Sequence, residues 1–361
     1  MVRKGLRALL RPDAGASFGL GHLRRSLALG TVLMERGVTC AVATEEDPFV
    51  RAIVTDQGFS YIPASEPSDA AQTIGRATVR GTGFWGNDDT VWDILVVDSY
   101  RMTPDRWKEA RDRARTLVAI DDTDEPPEEA DLVLQIRPLS SSSSTGTAVL
   151  APRGRQVLRG PEYALLGSPY RSLPRRVPSA RVQSSVVTLG GTDPWGFLPR
   201  LVSGLRHVLG TGERLHVVVG PFASSSEFLR MLHRDQRIEI VENPSPAELA
   251  ALLTSADMAI SGGGQSLYEM AAAGVPCIVV QVAENQATNI QGFVALGSIV
   301  YAGPAGADGT VQRVVEEYIR LRSDWAARAA MARRGQETVD GKGALRVASS
   351  ILQRHIGARG V

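Results

Sequence analysis

Two cysteines, Cys40 and Cys277, are all that 361 residues supply. Each lies in an apolar run ("TCAVAT", "PCIVVQ") where a free thiol packs as a small hydrophobe. A disulfide framework is therefore not the basis of the fold, and a reducing cytoplasm is the expected compartment. An excess of charge of one sign is missing too. The 40 basic and 39 acidic residues leave a net +1, so nothing marks a nucleic acid or an anionic membrane as partner, and a small molecule is expected instead. Long apolar runs are also absent. The start, "MVRKGLRALLRPDAG", has the basic residues of a signal peptide, but Arg7 and Arg11 interrupt an apolar stretch that is already too short. No run reaches the roughly 20 residues of a membrane span. Histidine is scarce, and His207, His216, His233 and His355 show no ligand spacing and are expected to be structural. No Walker, G-x-S-x-G or zinc pattern occurs.

What the chain has is alternation. Short Val/Ile/Leu-rich runs ("LRALL", "TCAVAT", "DILVVDSY", "TLVAIDD", "LVLQI") are separated by helix-period segments, as in a parallel sheet with crossover helices. In "HLRRSLALGTVLMERG", Leu23, Leu27, Gly30 and Met34 form one helical stripe beside Leu33, and Gly37 is the expected left-handed stop. Residues 137 to 181, with "RPLSSSSSTGT" and several prolines, are expected to be loop and linker. The alternation resumes in "SSVVTLGGTD", "RLHVVVGP", "RIEIVEN", "DMAISGGG", "PCIVVQV" and "SIVYAG". The length suits two domains and implies a cleft between them. The fold class is thus α/β, with two doubly wound Rossmann-like domains expected over 1–176 and 177–361. "LRSDWAARAAMARRG" is expected to be a helix crossing back onto the first domain or an oligomer contact.

In such sheets ligands bind beyond the carboxyl ends of the strands, where Asp13, His22, Asp98, Asp121, Asp122, Thr192, Asp193 and Gln265 collect. "SGGGQSLYEM" sets Gly262, Gly263 and Gly264 before a helix that begins near Gln265 and Ser266. Glycines let backbone amides approach an anion, and a helix start carries about half a positive charge, so a phosphate is the natural guest. Glu269, one turn on, is placed to accept from ribose hydroxyls. "TLGGTDP" repeats the logic with Gly190, Gly191 and Thr192, and "VAENQATNI" brings Asn285 and Gln286 beside the first glycine turn. The bland alternative is that these glycines only permit tight turns.

The first loop, "RPDAGASFGLGHLRRSLALG", departs from a dinucleotide fingerprint. Arg24 stands where G-x-G-x-x-G needs its third glycine, and the glycines start late, although Glu45 lies at a tolerable distance for a ribose acid. His22, at the very start of a helix whose positive end disfavours its protonation, suits a general base; the alternative is a histidine that only ties the loop. Asp13 is expected to hold that histidine or the sugar. "IDDTDEP" could supply hard oxygen ligands to a divalent metal, but a strand-end turn is the commoner meaning, and no metal or cofactor is expected.

These stretches, in order and joined by "VVDSYRM", "AIDDTDEPPEEADLVLQ" and "RGPEYALLGSPYR", resemble the nucleotide-sugar hydrolase family of pseudaminic acid biosynthesis. That family releases UDP from UDP-2,4-diacetamido-2,4,6-trideoxy-β-L-altropyranose. The resemblance implies a GT-B-like fold related to the enzyme that adds N-acetylglucosamine to the lipid-linked peptidoglycan precursor. It implies a nucleotide held mostly by the second domain, with His22 as the catalytic histidine of the G-x-G-H motif and Asn285 as the asparagine of the N-Q motif. Gly21, Arg25, Asp98 and Tyr100 are then sugar-facing candidates. Gly15, Phe18 and Ser26 stand where the family pattern has serine, isoleucine and cysteine, which leaves room for another sugar. The expected activity is hydrolysis of a UDP-linked sugar. The alternative is transfer of the sugar to a small-molecule acceptor; an NAD enzyme and a non-catalytic nucleotide-sugar binding protein stand behind both.

Overall fold

The computed structural model describes residues 5–64, 83–86, 90–123, 125–138, 147–150, 154–223, 232 and 235–357. The serine-rich stretch 140–144, Asp124 and His233 lie outside them. The chain divides into two compact units: residues 1–135, 147–159 and 344–361 form the first, and 136–146 with 160–343 the second. Residues 160–176, read from the sequence as the tail of the first half, belong to the second unit.

In the first unit, strand β1 (Arg7–Pro12) leads into helix α1 (Gly21–Glu35), followed by β2 (Thr39–Thr44), α2 (Pro48–Asp56) and β3 (Ser60–Pro63). Then come β4 (Trp92–Asp98), α3 (Pro104–Asp112), β5 (Ala114–Ile120), β6 (Leu132–Gln135), β7 (Thr147–Leu150) and β8 (Gln156–Arg159). The sheet order is β3-β2-β1-β4-β5-β6-β8-β7, parallel throughout except for the β7–β8 pair. The last two strands fall where the sequence reading expected only loop. Each has four residues, too short to show a period, and β8 is fixed by its pairing with β6 rather than by local preference.

Of the predicted stripe of α1, Leu23, Leu27 and Gly30 are buried with Leu33 beside them, whereas Met34 is half-buried. Gly30 leaves no room for a side chain, since a Cβ there would lie 2.6 Å from Leu10 Cδ1 and from Phe59 Cε1. Gly37 ends the segment at φ +84°, a conformation that costs glycine little. The chain's last helix, α10 (Gly343–Gly357), joins this unit from Ala344 on. Arg36 Nη1 donates to Ser349 Oγ at 2.8 Å, and Thr116 Oγ1 is 2.9 Å from His355 Nδ1.

The second unit repeats the plan. Its elements are β9 (Ser184–Thr188), α4 (Phe197–Arg206), β10 (Arg214–Val219), β11 (Ile238–Glu242), α5 (Pro246–Ser255), β12 (Met258–Gly262) and α6 (Ser266–Ala273). They continue with β13 (Cys277–Gln281), α7 (Ala287–Ala295), β14 (Ile299–Pro304), α8 (Thr310–Ser323) and α9 (Trp325–Thr338). The order β11-β10-β9-β12-β13-β14 is parallel throughout. Val187, Leu201, Leu215, Ile260 and Ile278 are fully buried in its core, each worth roughly 1.5–3 kcal/mol of transfer free energy. The segment "LRSDWAARAAMARRG" is two helices rather than one. The chain breaks at Asp324, whose carboxylate accepts from Ala327 N at 2.9 Å and so starts α9. This helix packs on α6 within its own unit, Gly335 approaching Ala271.

In both sheets the order reverses between the first strand and the fourth, that is between β1 and β4 and between β9 and β12. The loops leaving these strands splay to opposite sides of the sheet there, which opens a crevice at the carboxyl edge. The predicted loops lie at these two places.

Candidate functional site

In the first unit the crevice is closed at its base by Asp13 N donating to Asp98 O at 3.0 Å, which ties the ends of β1 and β4. The intervening loop folds on itself through a bridge between Gly15 and Gly19 and delivers Gly21 and His22 as the first residues of α1. Asp98, the last residue of β4, is wholly buried. His22 Nδ1 lies 2.6 Å from Asp98 Oδ1. Arg25, one turn along α1, grips the same carboxylate with Nε on Oδ2 at 2.6 Å and Nη2 on Oδ1 at 2.5 Å. It also reaches Asp122 at 3.1 and 2.7 Å. Tyr100 sets its ring edge-on to the imidazole at 4.7 Å and donates its hydroxyl to Asp122 Oδ2 at 3.1 Å. The imidazole is thus held at Nδ1, and among the described residues its Nε2 has no protein partner.

Burial alone would lower the His22 pKa, but the Asp98 carboxylate outweighs it and the net direction is upward from 6.5. The helix end, expected from the sequence to keep this group neutral, is overridden by the buried aspartate. Burial alone would raise the Asp98 pKa; Arg25 and His22 hold it well below the usual carboxylate range. An anionic Asp98 accepting from Nδ1–H leaves the lone pair on Nε2, the arrangement of an oriented general base. A base works when deprotonated, so the acidic limb of the kcat/KM profile is expected to have its midpoint above 6.5. Replacing Asp98 by asparagine is expected to move it to lower pH, and a pH–rate series on both proteins checks this.

The sequence-derived candidates of this unit divide as follows. Asp13 does not hold the histidine. It is buried, receives Tyr100 N at 2.9 Å and pairs with Arg101 at 2.8 Å, because the neighbouring β4 end places Asp98, not Asp13, against α1. Asp98 and Arg25, read as sugar contacts, are committed to each other and to His22 and Asp122. Tyr100 is 43% exposed and remains accessible. Glu45, the acid of the dinucleotide alternative, accepts from Ala14 N at 3.1 Å and from Arg11 at 3.3 Å, and also pairs with Arg101. Of the acidic run, Asp121 is bound by Gln135 and Thr123, and Asp122 by Arg25. Among the described residues no group of three or more His, Cys, Asp or Glu side chains could hold a metal ion. Arg101 had no role in the sequence reading, and Asp122 entered it only as a strand-end carboxylate and as part of the acidic run; the only signal for Arg101 was its place three residues beyond the end of β4.

In the second unit β9 and β12 end backbone to backbone: a Cβ on Gly262 would lie 2.9 Å from Leu189 O. Gly190, at φ +99°, turns the chain, and Gly191 O accepts from Phe222 N at 3.0 Å. Thr192 bridges to Phe222. Asp193 then caps α4, accepting from Phe197 N and Leu198 N at 2.9 Å each. In the other loop the amides of Leu267 and Tyr268 already bond Gly264 O and Gln265 O, both at 3.1 Å. The amides of Gln265 and Ser266 precede them at the helix start, where no i−4 carbonyl is available. The Gln265 side chain donates to Leu165 O at 3.0 Å, and Glu269 is buried on α6.

Gln286, read as a ligand contact, is a brace. Its Oε1 accepts from Gly263 N and from Val282 N, both at 2.9 Å, so the Gly263 amide is already satisfied. Asn285 stands exposed beside it in a 3-10 turn, Glu284–Gln286. A Cβ on Gly263 would lie 2.5 Å from Ile290 Cδ1 and 3.1 Å from Gln286 Cβ. Gly263→Ala is therefore expected to cost about 1–3 kcal/mol by overpacking. The displaced brace should also loosen the glycine turn, as thermal unfolding would show.

This architecture recurs in solved structures. Over 97% of this chain and 100% of the other, it matches Acinetobacter baumannii MurG with a TM-score of 0.61 at 15% identity. Over 99% and 100% it matches CalG4, the calicheamicin glycosyltransferase, with a TM-score of 0.62 at 17% identity. The fold is GT-B. In sequence, the chain is 26% identical over 201 residues to the spore coat polysaccharide biosynthesis protein SpsG of Bacillus subtilis (strain 168). That match covers 55% of this chain and 58% of SpsG. No family model matches. Among the described residues of this GT-B chain, no helix is long and apolar enough to cross a membrane.

Proposed function

We propose that this GT-B protein is a glycosyltransferase that moves a sugar from a nucleoside diphosphate to a small-molecule acceptor. The second unit binds the nucleotide, and the first supplies the base. The observation that carries the reading is the buried Asp98–His22 pair at the β1/β4 crevice, with Nε2 left to take a proton. As the acceptor oxygen attacks the anomeric carbon, Nε2 receives its proton and Asp98 stabilises the imidazolium. The anomeric C–O bond breaks and its electron pair leaves with the diphosphate. On this reading the Gln265 and Ser266 amides and the α6 start stabilise that charge. CalG4, which shares the fold, is a glycosyltransferase, and that likeness supports the reading.

Hydrolysis, the first expectation from the sequence, uses the same base on water. The ordered G-x-G-H and N-Q motifs favour it, but none of the three proteins compared above is described as a hydrolase. Incubation with a panel of UDP- and TDP-sugars separates the two readings. Diphosphate release only when an amine or hydroxyl acceptor is added supports transfer. Release in water alone, unchanged by acceptors, overturns it in favour of hydrolysis.

A further inference from the structure

One large aromatic at the carboxyl edge of the second sheet is not used in this scheme. Trp195 follows the Gly190–Gly191 turn and is 56% exposed, yet it is firmly anchored. Its Nε1 donates to Val282 O at 2.9 Å. Its six-membered ring lies against the backbone of Gly306, where an added Cβ would come within 3.0 Å of Cε3 and Cζ3. The loop beneath it is fixed as well, because Asp193 caps α4 on one side and Gly196 N bonds Asp193 O at 3.2 Å. An indole held at its nitrogen and backed on its benzo ring, with more than half its surface in solvent, is a ready-made stacking platform.

Its position says what it would stack on. Val282, which holds the indole, also donates to Gln286 Oε1, and the same oxygen accepts from Gly263 of the glycine turn. Trp195 therefore stands on the β13 and β14 side of the proposed diphosphate, next to the turn that carries Asn285. Only Val282 and Gln286 separate the indole from the glycine turn, so a group joined to a diphosphate at that turn comes within reach of the ring. We propose that Trp195 is a sugar platform: the donor's pyranose ring lays its C–H face on the indole, which favours sugars with an apolar face, such as deoxy sugars. This rests on the assignment of the second unit as the nucleotide-sugar site.

The test is calorimetric titration of the full chain and of its Trp195→Ala and Trp195→Phe variants with UDP, UDP-N-acetylglucosamine, TDP and TDP-rhamnose. Wild-type protein is expected to bind at least one nucleotide sugar more tightly than its bare diphosphate. Trp195→Ala is expected to lose about tenfold for that sugar nucleotide, as for one lost aromatic stack, and nothing for UDP or TDP; Trp195→Phe retains most of the affinity. An equal loss for the bare diphosphate overturns the proposal in favour of a stacked base. So does an unchanged affinity for every probe, or a wild-type protein that gains nothing from the sugar. In these three cases diphosphate binding itself leaves the nucleotide assignment standing. If the wild-type protein binds none of the four, the nucleotide assignment falls and the platform with it.

Discussion

Replacing His22 by alanine is expected to lower turnover by about 10²–10⁴-fold, the range for loss of one positioned general base, with nucleoside diphosphate affinity unchanged. Both halves follow from where the side chains sit. His22 and its partners Asp98, Arg25 and Tyr100 all belong to the first unit, whereas the glycine turns and the α6 start belong to the second. A substitution in the first should leave calorimetric UDP binding as it was and suppress product formation. His22→Gln keeps a polar group and much of the volume, so it separates loss of a base from loss of packing. If either variant turns over at the wild-type rate, His22 is not the base. If either loses diphosphate affinity as well, the division of labour between the units is wrong.

The parts of this scheme that were legible in the sequence are those set by local rules. The run of β-branched strands, the α1 stripe and the left-handed stop at Gly37 each follow from neighbours within a turn or a strand. The glycine turns are legible for the same reason: a close backbone approach, as at Gly262, admits no side chain. The pairing at the site was not legible. Asp13 follows β1 and Asp98 ends β4, and only the sheet order, with β4 beside β1, decides that Asp98 meets His22, 76 residues away. The bracing role of Gln286 was hidden for a related reason, since an amide beside a glycine turn serves a ligand or the turn equally well until the donors to its Oε1 are located. The fold itself does not choose between water and an acceptor, because that depends on what stands next to Nε2.

Removing the Asp98 charge is expected to have the largest effect on the first unit's stability, and its pH dependence distinguishes the mechanism. Asp98→Ala leaves the buried Arg25 guanidinium with Asp122 alone and leaves His22 Nδ1 without its partner carboxylate, a change of the kind that costs about 3–5 kcal/mol. Asp98→Asn keeps the shape and isolates the charge. The folded-state pKa of Asp98 is depressed, so its contribution is present above the unfolded value of about 3.9 and is lost as pH falls through the lower folded value. The folded-state pKa of His22 is raised, so its contribution is full below about 6.5 and is lost as pH rises through the folded value. The difference between wild-type protein and Asp98→Asn should therefore be greatest between about pH 4 and 6.5, shrinking on either side. Arg25, charged throughout, supplies the part that persists at alkaline pH. Two units need not unfold together, so amide hydrogen exchange of β1 and β4 at pH 5.5 and 8.5 is the appropriate measurement. Equal protection losses at the two pH values would show that the His22–Asp98 charge pair contributes nothing to the fold and would remove the physical basis for reading Asp98 as the group that tunes the base.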